Sequence, residues 1–380
     1  MTIVEGLPAG LELRAEDIDR ELCRRQAGYG RGGRMEIEKD RVEILSGVRF
    51  GKTLGSPVAF MLRNLDWENW REKMAHDGDG AGAEPLDKAR PGHADLPGAL
   101  KYDHRDVRNV IERASARETA ARVMAGAAAK RLLDELGVAV IGHVVSIGPF
   151  HVSEGVEGNH EAAGRAQSSL LRMADPDAET KARKWIDELK EAGGTAGGVV
   201  EVIATGLPPG LGSFVSWDRR LDGRIGLALM SINAIKGVEV GGGVSLAALP
   251  GKETLDEIFP GPSGGNLLFG NRFLPFHRKT NRAGGLEGGM TNGEPLLVRA
   301  AMKPIPTQSE PLQTVTLGSW ELTSAHKERG DICAVPAAAV VAEAMVAVVL
   351  ADAFMEKFGG DAVGDIIYNY SHYLERICAR

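Results

Sequence analysis

A chain of 380 residues can bury a large core, and its 43% hydrophobic and 26% charged fractions are those of an ordinary folded protein. A formal net charge of −7 argues against bulk nucleic-acid binding, and three cysteines without CxxC or zinc spacing (Cys23, Cys333, Cys378) point to a reducing compartment and to no metal centre. The 49 glycines are the anomaly, and with no collagen-like period local stretches must account for them.

The first residues, "MTIVEGLPAGLELR", lack a basic segment followed by an apolar one, so no secretory signal is expected and a cytoplasmic location is. "RAEDIDRELCRRQAG" reads as a helix with Ile18, Leu22 and Cys23 at helical spacing and Gly28 as its stop. "RVEILSG" and "SPVAFMLRN" read as strands. The polar, glycine-rich run from Glu72 to Ala94 is long for a compact domain and is expected to be a mobile functional loop. "DVRNVIERASARETAARVMAGAAAKRLLDELG" predicts one strong helix with a glycine stop, followed by the strand "VAVIGHVVSIG". Residues 155–195 are charged and helical, and "GGVVEVIATGLPPGLGS" and "LLVRAAMKPIP" are strand-like.

Val335 to Phe354 is apolar over nearly the length of a membrane span. It is Ala-rich, carries Glu343 and Asp352, and is punctuated by Pro336 and Gly359–Gly360, which predicts a helix buried in a core and no membrane contact. No composition break divides the chain, so one large α+β domain over residues 1–380 is expected. "VEGLPAGLEL" near the start echoes "ATGLPPGLGS" at Ala204–Ser213, which fits a core of two similar halves.

Three glycine-rich stretches imitate known motifs and fail. "GYGRGG" matches G-x-G-x-x-G but follows a polar helix, not a strand; "SGVRFGKT" has Ser46 where a P-loop needs glycine; "GRGGR" occurs once in an acidic protein. The chemistry collects around arginine instead. Arg25, Arg31 and Arg34 lie within ten residues, and Arg113 and Arg117 are expected to share one helical face, with Arg122 on the same helix. Ala, Gly, Ser and Thr stand among them, which lets a ligand approach planar donors suited to phosphate and carboxylate. That pattern points to a small anionic substrate. "RPGHAD" presents His93 among small residues beside Arg90 and Asp95, and "RGDICAVPAAA" sets Arg329 and Asp331 ahead of the apolar helix. "NRAGGLEGGMTNG", residues 281–293, holds five glycines and suggests backbone lying close to something flat or charged.

Taken together, the chain resembles the chorismate synthase family from Val4 to about Gly360. The resemblance rests on "GYGRGGRM", "RPGHAD", "ERASARETAAR", "NAIKGVE", "NRAGGLEGGMTNG", "KPIPT" and "DICAVPAA", in that order. It implies a carbon–oxygen lyase that eliminates phosphate (anti-1,4) from 5-enolpyruvylshikimate 3-phosphate to give chorismate, the last step of the shikimate pathway in aromatic amino acid biosynthesis. It also implies reduced FMN without net redox change, helices packed between antiparallel sheets, and a homotetramer. By matching motif, Arg25, Arg31, Arg34, Arg90 and Arg117 are expected to contact substrate anions, with Arg25 and Arg31 also offered to NADPH in members that reduce their own flavin. The FMN contacts implied are Arg113, Ala114, Ser115, Asn233, Ala234, Gly288, Lys303, Pro304, Ile305, Pro306, Thr307 and Arg329, with "NRAGGLEGGMTNG" as the backbone beside flavin and substrate. His93 is implied to protonate or stabilise reduced FMN near N1, and Asp331 to assist proton removal at N5.

Two departures accompany the resemblance. The family's opening strand ends in Gly-Glu-Ser-His-Gly, whose His protonates departing phosphate; here no His precedes His76. Loss of a general acid costs roughly 10²- to 10⁴-fold in rate, so binding with poor turnover is the alternative expectation, and a start assigned too late is the preferred explanation. The second departure is an insert at residues 266–280 carrying His277, to which no role is assigned.

Overall fold

A computed structural model of the chain describes residues 1–33, 39–78, 80, 83–261, 267–327 and 330–379. Its plan is a repeated unit. The first copy runs β1 (Thr2–Val4), α1 (Ala15–Gln26), β2 (Glu43–Ser46), a tight hairpin Val48–Arg49/Lys52–Thr53 and β3 (Val58–Met61), then α2 (Asp95–Tyr102), α3 (Arg108–Ala114) and α4 (Thr119–Glu135). Next come β4 (Ala139–Ile147), β5 (Phe150–His151), α5 (His160–Ala166) and α6 (Pro176–Glu191). The second copy runs β6 (Gly198–Thr205), α7 (Leu221–Met230), β7 (Ile235–Val240), the hairpin Leu286–Glu287/Met290–Thr291, β8 (Leu296–Met302) and α8 (Val335–Phe358), and α9 (Val363–Cys378) follows.

The Gly-Leu-Pro echo marks the repeat in atomic detail. Thr53 Oγ1 donates to Pro8 O (2.5 Å) and accepts from Leu11 N (3.0 Å); Thr291 Oγ1 donates to Pro208 O (2.6 Å) and accepts from Leu211 N (2.8 Å). Strand orders match as well, antiparallel β1-β3-β2 in a three-stranded sheet and β6-β8-β7 within the five-stranded sheet β5-β4-β6-β8-β7. Each hairpin turn has two residues at positive φ, Phe50 and Gly51 (50° and 75°) and Gly288 and Gly289 (60° and 81°), as the twist of a two-residue hairpin requires.

Four layers result. α8 lies on β4 and β6 and against α4 and α7; α4 meets α1 and β1 of the three-stranded sheet. The helices therefore pack between antiparallel sheets, as expected. α8 is long and apolar enough to cross a membrane, yet here it is the central core helix, covered on most faces. Glycine lets its neighbours come close. A Cβ on Gly126 of α4 would sit 2.3 Å from Ala344 Cβ, and one on Gly142 of β4 would sit 2.5 Å from Ala339 O.

Glu343 explains its own presence in this apolar helix. It is 1% exposed and accepts from Arg24 Nη1 and Nη2 (2.6 and 2.8 Å), Gly142 N (2.7 Å) and Lys130 Nζ. Burial pushes its carboxyl up, but Lys130 and Arg24 outweigh this and hold it at about 2. The insert packs as structure: Phe269 stacks on Tyr370 at 5.7 Å, Leu268 and Leu274 are buried, and the strand Phe276–Arg278 pairs with Ile258–Pro260.

Two expectations are corrected. The helix predicted over residues 106–137 is broken: α3 ends at Ala114, Ser115 is extended, and a 3₁₀ turn Ala116–Glu118 leads into α4. Ser115 Oγ accepts from Arg117 N (3.3 Å), so the "SARE" stretch acts as a helix start, not helix interior. The loop expected to be mobile from Glu72 to Ala94 is pinned over its last third. Leu86 O accepts from Val107 N (2.8 Å), Asp87 O accepts from Leu317 N (2.8 Å), and Ala89 and Arg90 are buried.

Candidate active site

A cavity of about 390 Å³ opens where the ends of these elements meet. The end of α1 supplies Arg25, the glycine turn after it Arg31 and Gly32, the pinned loop Arg90 and His93, and the broken helix Ala114, Ser115 and Arg117. The α7–β7 junction adds Asn233 and Ala234, the loop after β8 adds Lys303, Ile305, Pro306 and Thr307, and Asp331 lies ahead of α8. One wall is apolar: Ala337, Ala338 and Val341 of α8, with Ile111, Ile232 and Met302.

The glycines of "GYGRGG" serve close docking. Gly30 O accepts from Ile332 N (2.8 Å) and Cys333 N (3.1 Å), and a Cβ on Gly32 would lie 2.7 Å from Gly330 O. This docking turns Arg31 into the cavity, where Nη1 meets Asp331 Oδ2 at 2.6 Å while Gly32 N donates to Asp331 Oδ1 at 2.7 Å. Cys333 beneath it is buried, which pushes its thiol up to about 12, so it is inert packing.

The fold gives these arginines a buried acidic partner that lies far off in sequence. Asp40, 2% exposed at its side chain, accepts from Arg117 Nη1 and Nη2 (2.9 and 2.6 Å) and from Arg25 Nη2 (3.1 Å). Burial pulls the Arg25 guanidinium below its ordinary value; Asp40 opposes this, and the like charges of Arg117 and Arg31 add to it. Arg25 Nη1 also reaches Thr119 Oγ1 at 3.4 Å. Buried guanidiniums need counter-charges, and a carboxylate behind them leaves cationic donors along the cavity for an incoming anion.

Arg90, Asp95 and His93 form a second cluster. Arg90 Nε donates to Asp95 Oδ2 (2.9 Å) and Nη1 to Thr307 Oγ1 (3.1 Å), and His93 Nδ1 lies 2.5 Å from Asp95 Oδ1. Lys303 Nζ donates to Gly92 O (2.6 Å), tying the two loops together. Asn233 donates Nδ2 to Ala114 O (3.2 Å), while its Oδ1 is buried without a hydrogen-bond partner among the described residues. Ala234 beside it holds φ at +67°, an uncommon conformation for a residue with a Cβ. An unsatisfied acceptor, an apolar wall and fixed cations together suit a planar, polar-edged anion. The lining therefore suits small anionic ligands.

Of the residues singled out in the sequence, Arg25, Arg31, Arg90, His93, Ala114, Ser115, Arg117, Asn233, Ala234, Lys303, Ile305, Pro306, Thr307 and Asp331 line this one cavity. Arg113, Pro304 and Gly288 do not. Because the helix breaks at Ser115, Arg113 points away with an 81% exposed side chain, and Arg122 instead ties α4 to Ser231 (2.6 Å). Arg34 and Arg329 fall outside the described residues.

No residue of 281–293 lines the cavity, and the glycines there have other tasks. Gly288 and Gly289 make the hairpin turn, and a Cβ on Gly284 would lie 2.3 Å from Gly241 N. His277 bonds Gly261 O (3.1 Å), away from the cavity. Sequence reading missed Asp40, Thr119 and the α8 wall. Only Thr119, inside "ARET", carried a visible signal.

Comparisons with known proteins agree with this architecture. The chorismate synthase family model matches residues 1–355. The chorismate synthase of Trichlorobacter lovleyi is 55% identical over 376 residues, covering 98% of this chain and 94% of that one, and that of Geobacter sulfurreducens is 52% identical over 378 residues, covering 99% and 95%. A chorismate synthase crystal structure superposes with a TM-score of 0.78 at 43% identity, over 100% of this chain and 94% of that one.

Proposed function

The chain belongs to the chorismate synthase family, and from that premise we propose that its cavity catalyses the anti-1,4-elimination of phosphate from 5-enolpyruvylshikimate 3-phosphate to give chorismate. The observation that carries this reading is the convergence of Arg25, Arg31, Arg90 and Arg117 on one cavity. The substrate bears a phosphate and two carboxylates, and planar guanidiniums match both groups. Charge-assisted hydrogen bonds are worth about 1.5–3 kcal/mol each, so a few of them set both affinity and orientation.

Reduced FMN is the cofactor of this reading, held by Ala114, Ser115, Asn233, Ala234, Lys303, Ile305, Pro306 and Thr307. When bound there it would supply reducing electron density to the elimination with no net redox change. The guanidiniums neutralise the charge that grows on departing phosphate. His93 holds or moves a proton on its imidazole beside the cofactor. Asp331, bound by Gly32 N and Arg31, is the carboxylate assigned to proton uptake. The α8 wall excludes water from the reacting face.

NADPH, where it reduces the flavin, would use the same cleft, since Arg25 and Arg31 line it. A homotetramer in the cytoplasm completes the reading; exposed Trp217, Leu227, Phe214 and Val244 support self-association, and light scattering tests it. The enzymatic test is anaerobic incubation with dithionite-reduced FMN and substrate. Equimolar phosphate and chorismate are expected, with neither formed when the FMN is oxidised. Tight binding of both ligands without phosphate release would overturn catalysis in favour of a binding-only protein.

A further inference from the structure

Asp95 opens α2 with no exposed surface. Each of its oxygens meets two partners. Oδ2 accepts from Arg90 N (3.0 Å) and Nε (2.9 Å), while Oδ1 accepts from Arg90 Nη2 (3.2 Å) and lies 2.5 Å from His93 Nδ1. Burial alone would raise this carboxyl, but the hydrogen bonds from His93 and Arg90 hold it well below the usual carboxylate range. An ionised carboxylate only accepts, so the proton between the two groups sits on Nδ1. Arg90 Nη2 lies 3.2 and 3.5 Å from the two ring nitrogens.

Resting on the proposed function, we infer that Asp95 is a positioning residue that fixes His93 as its Nδ1–H tautomer, making Nε2 the nitrogen that exchanges a proton in the cavity. The arrangement is braced from outside the dyad: Arg90 is anchored to Thr307, and Gly92 to Lys303. A hydrogen-bonded carboxylate behind a working imidazole selects the tautomer without being protonated itself.

Asp95→Asn tests this with little change of shape. The single amide oxygen must stay at the Oδ2 position, where two N–H groups of Arg90 converge. The amide nitrogen then faces His93 Nδ1 and donates to it, which forces the proton to Nε2. Histidine-selective ¹⁵N NMR of the ligand-free protein near pH 8.5, with the His93 signal assigned by its loss in His93→Gln, reads the tautomer directly. Wild type is expected to carry the proton on Nδ1 and Asp95→Asn on Nε2. Turnover by the variant with reduced FMN should fall about 10²- to 10⁴-fold, with FMN affinity changed less than threefold.

Nε2–H in wild type, an unchanged tautomer in the variant, or a changed tautomer with unchanged kcat would each overturn the inference. If the variant does not fold, the wild-type tautomer alone decides. If wild type makes no chorismate although Nδ1 carries the proton, the function fails and the tautomer assignment stands.

Discussion

Arg24 and Arg25 are neighbours on α1, yet they serve opposite kinds of charge cluster. Arg24, with Lys130, holds Glu343 of α8 within the helix layer. Arg25, with Arg117, holds Asp40 at the edge of the cavity. Both clusters set two cations on one carboxylate almost without exposure, 1% for Glu343 and 2% for Asp40. In the first, Arg24 is enclosed by Glu21, Gln167 and Glu343, all within the fold. In the second, the cations border open space. A buried ion pair by itself therefore says nothing of function; the surface its cations present does.

Breaking each cluster should separate stability from activity. Glu343→Ala removes the buried carboxylate between Arg24 and Lys130, leaving them only Glu21 as a counter-charge among the described residues, and is expected to cost about 3 kcal/mol of stability, read from denaturant midpoints, with kcat/KM of the folded fraction changed less than threefold. Arg117→Ala should do the reverse. Loss of a charge-assisted contact of about 1.5–3 kcal/mol lowers kcat/KM roughly 10- to 150-fold, with little shift in the melting temperature. Gly126→Ala puts a methyl group 2.3 Å from Ala344 Cβ and should cost about 1–3 kcal/mol by overpacking, again without a change in KM.

The smallest effect concerns pH. The Glu343 carboxyl is depressed from 4.5 to about 2, so its contribution is fully present above the ordinary value and is lost as pH falls through about 2. Stability measured from pH 5 to pH 2 should fall less steeply in Glu343→Gln than in wild type. An equal slope would remove Glu343 from the account.

The elements that periodicity governs were legible in the sequence. β4, β6, β8, α1 and α8 lie where pattern and punctuation put them, and the Gly-Leu-Pro echo disclosed the repeat. The broken helix was not read, because no Gly or Pro interrupts residues 108–119, although "SARE" carries a helix-start signature. That one misreading put Arg113 and Arg117 on a shared face, when they point to different surroundings. Asp40 was invisible for a different reason. It sits in the charged run "EIEKDRVE", and its partner Arg117 is 77 positions away, so only the fold brings them together. The glycines of 281–293 were legible as a demand for unusual backbone but not for its cause, which is a hairpin turn and close main-chain packing.

The most direct test of the central claim is a crystal structure with 5-enolpyruvylshikimate 3-phosphate and FMN bound together. The account predicts anionic oxygens of the substrate within hydrogen-bond reach of Arg31 and Arg117, beside His93 and the α8 wall. Substrate bound elsewhere, with the ion pairs of Arg25, Arg31 and Arg117 facing only solvent, would contradict it.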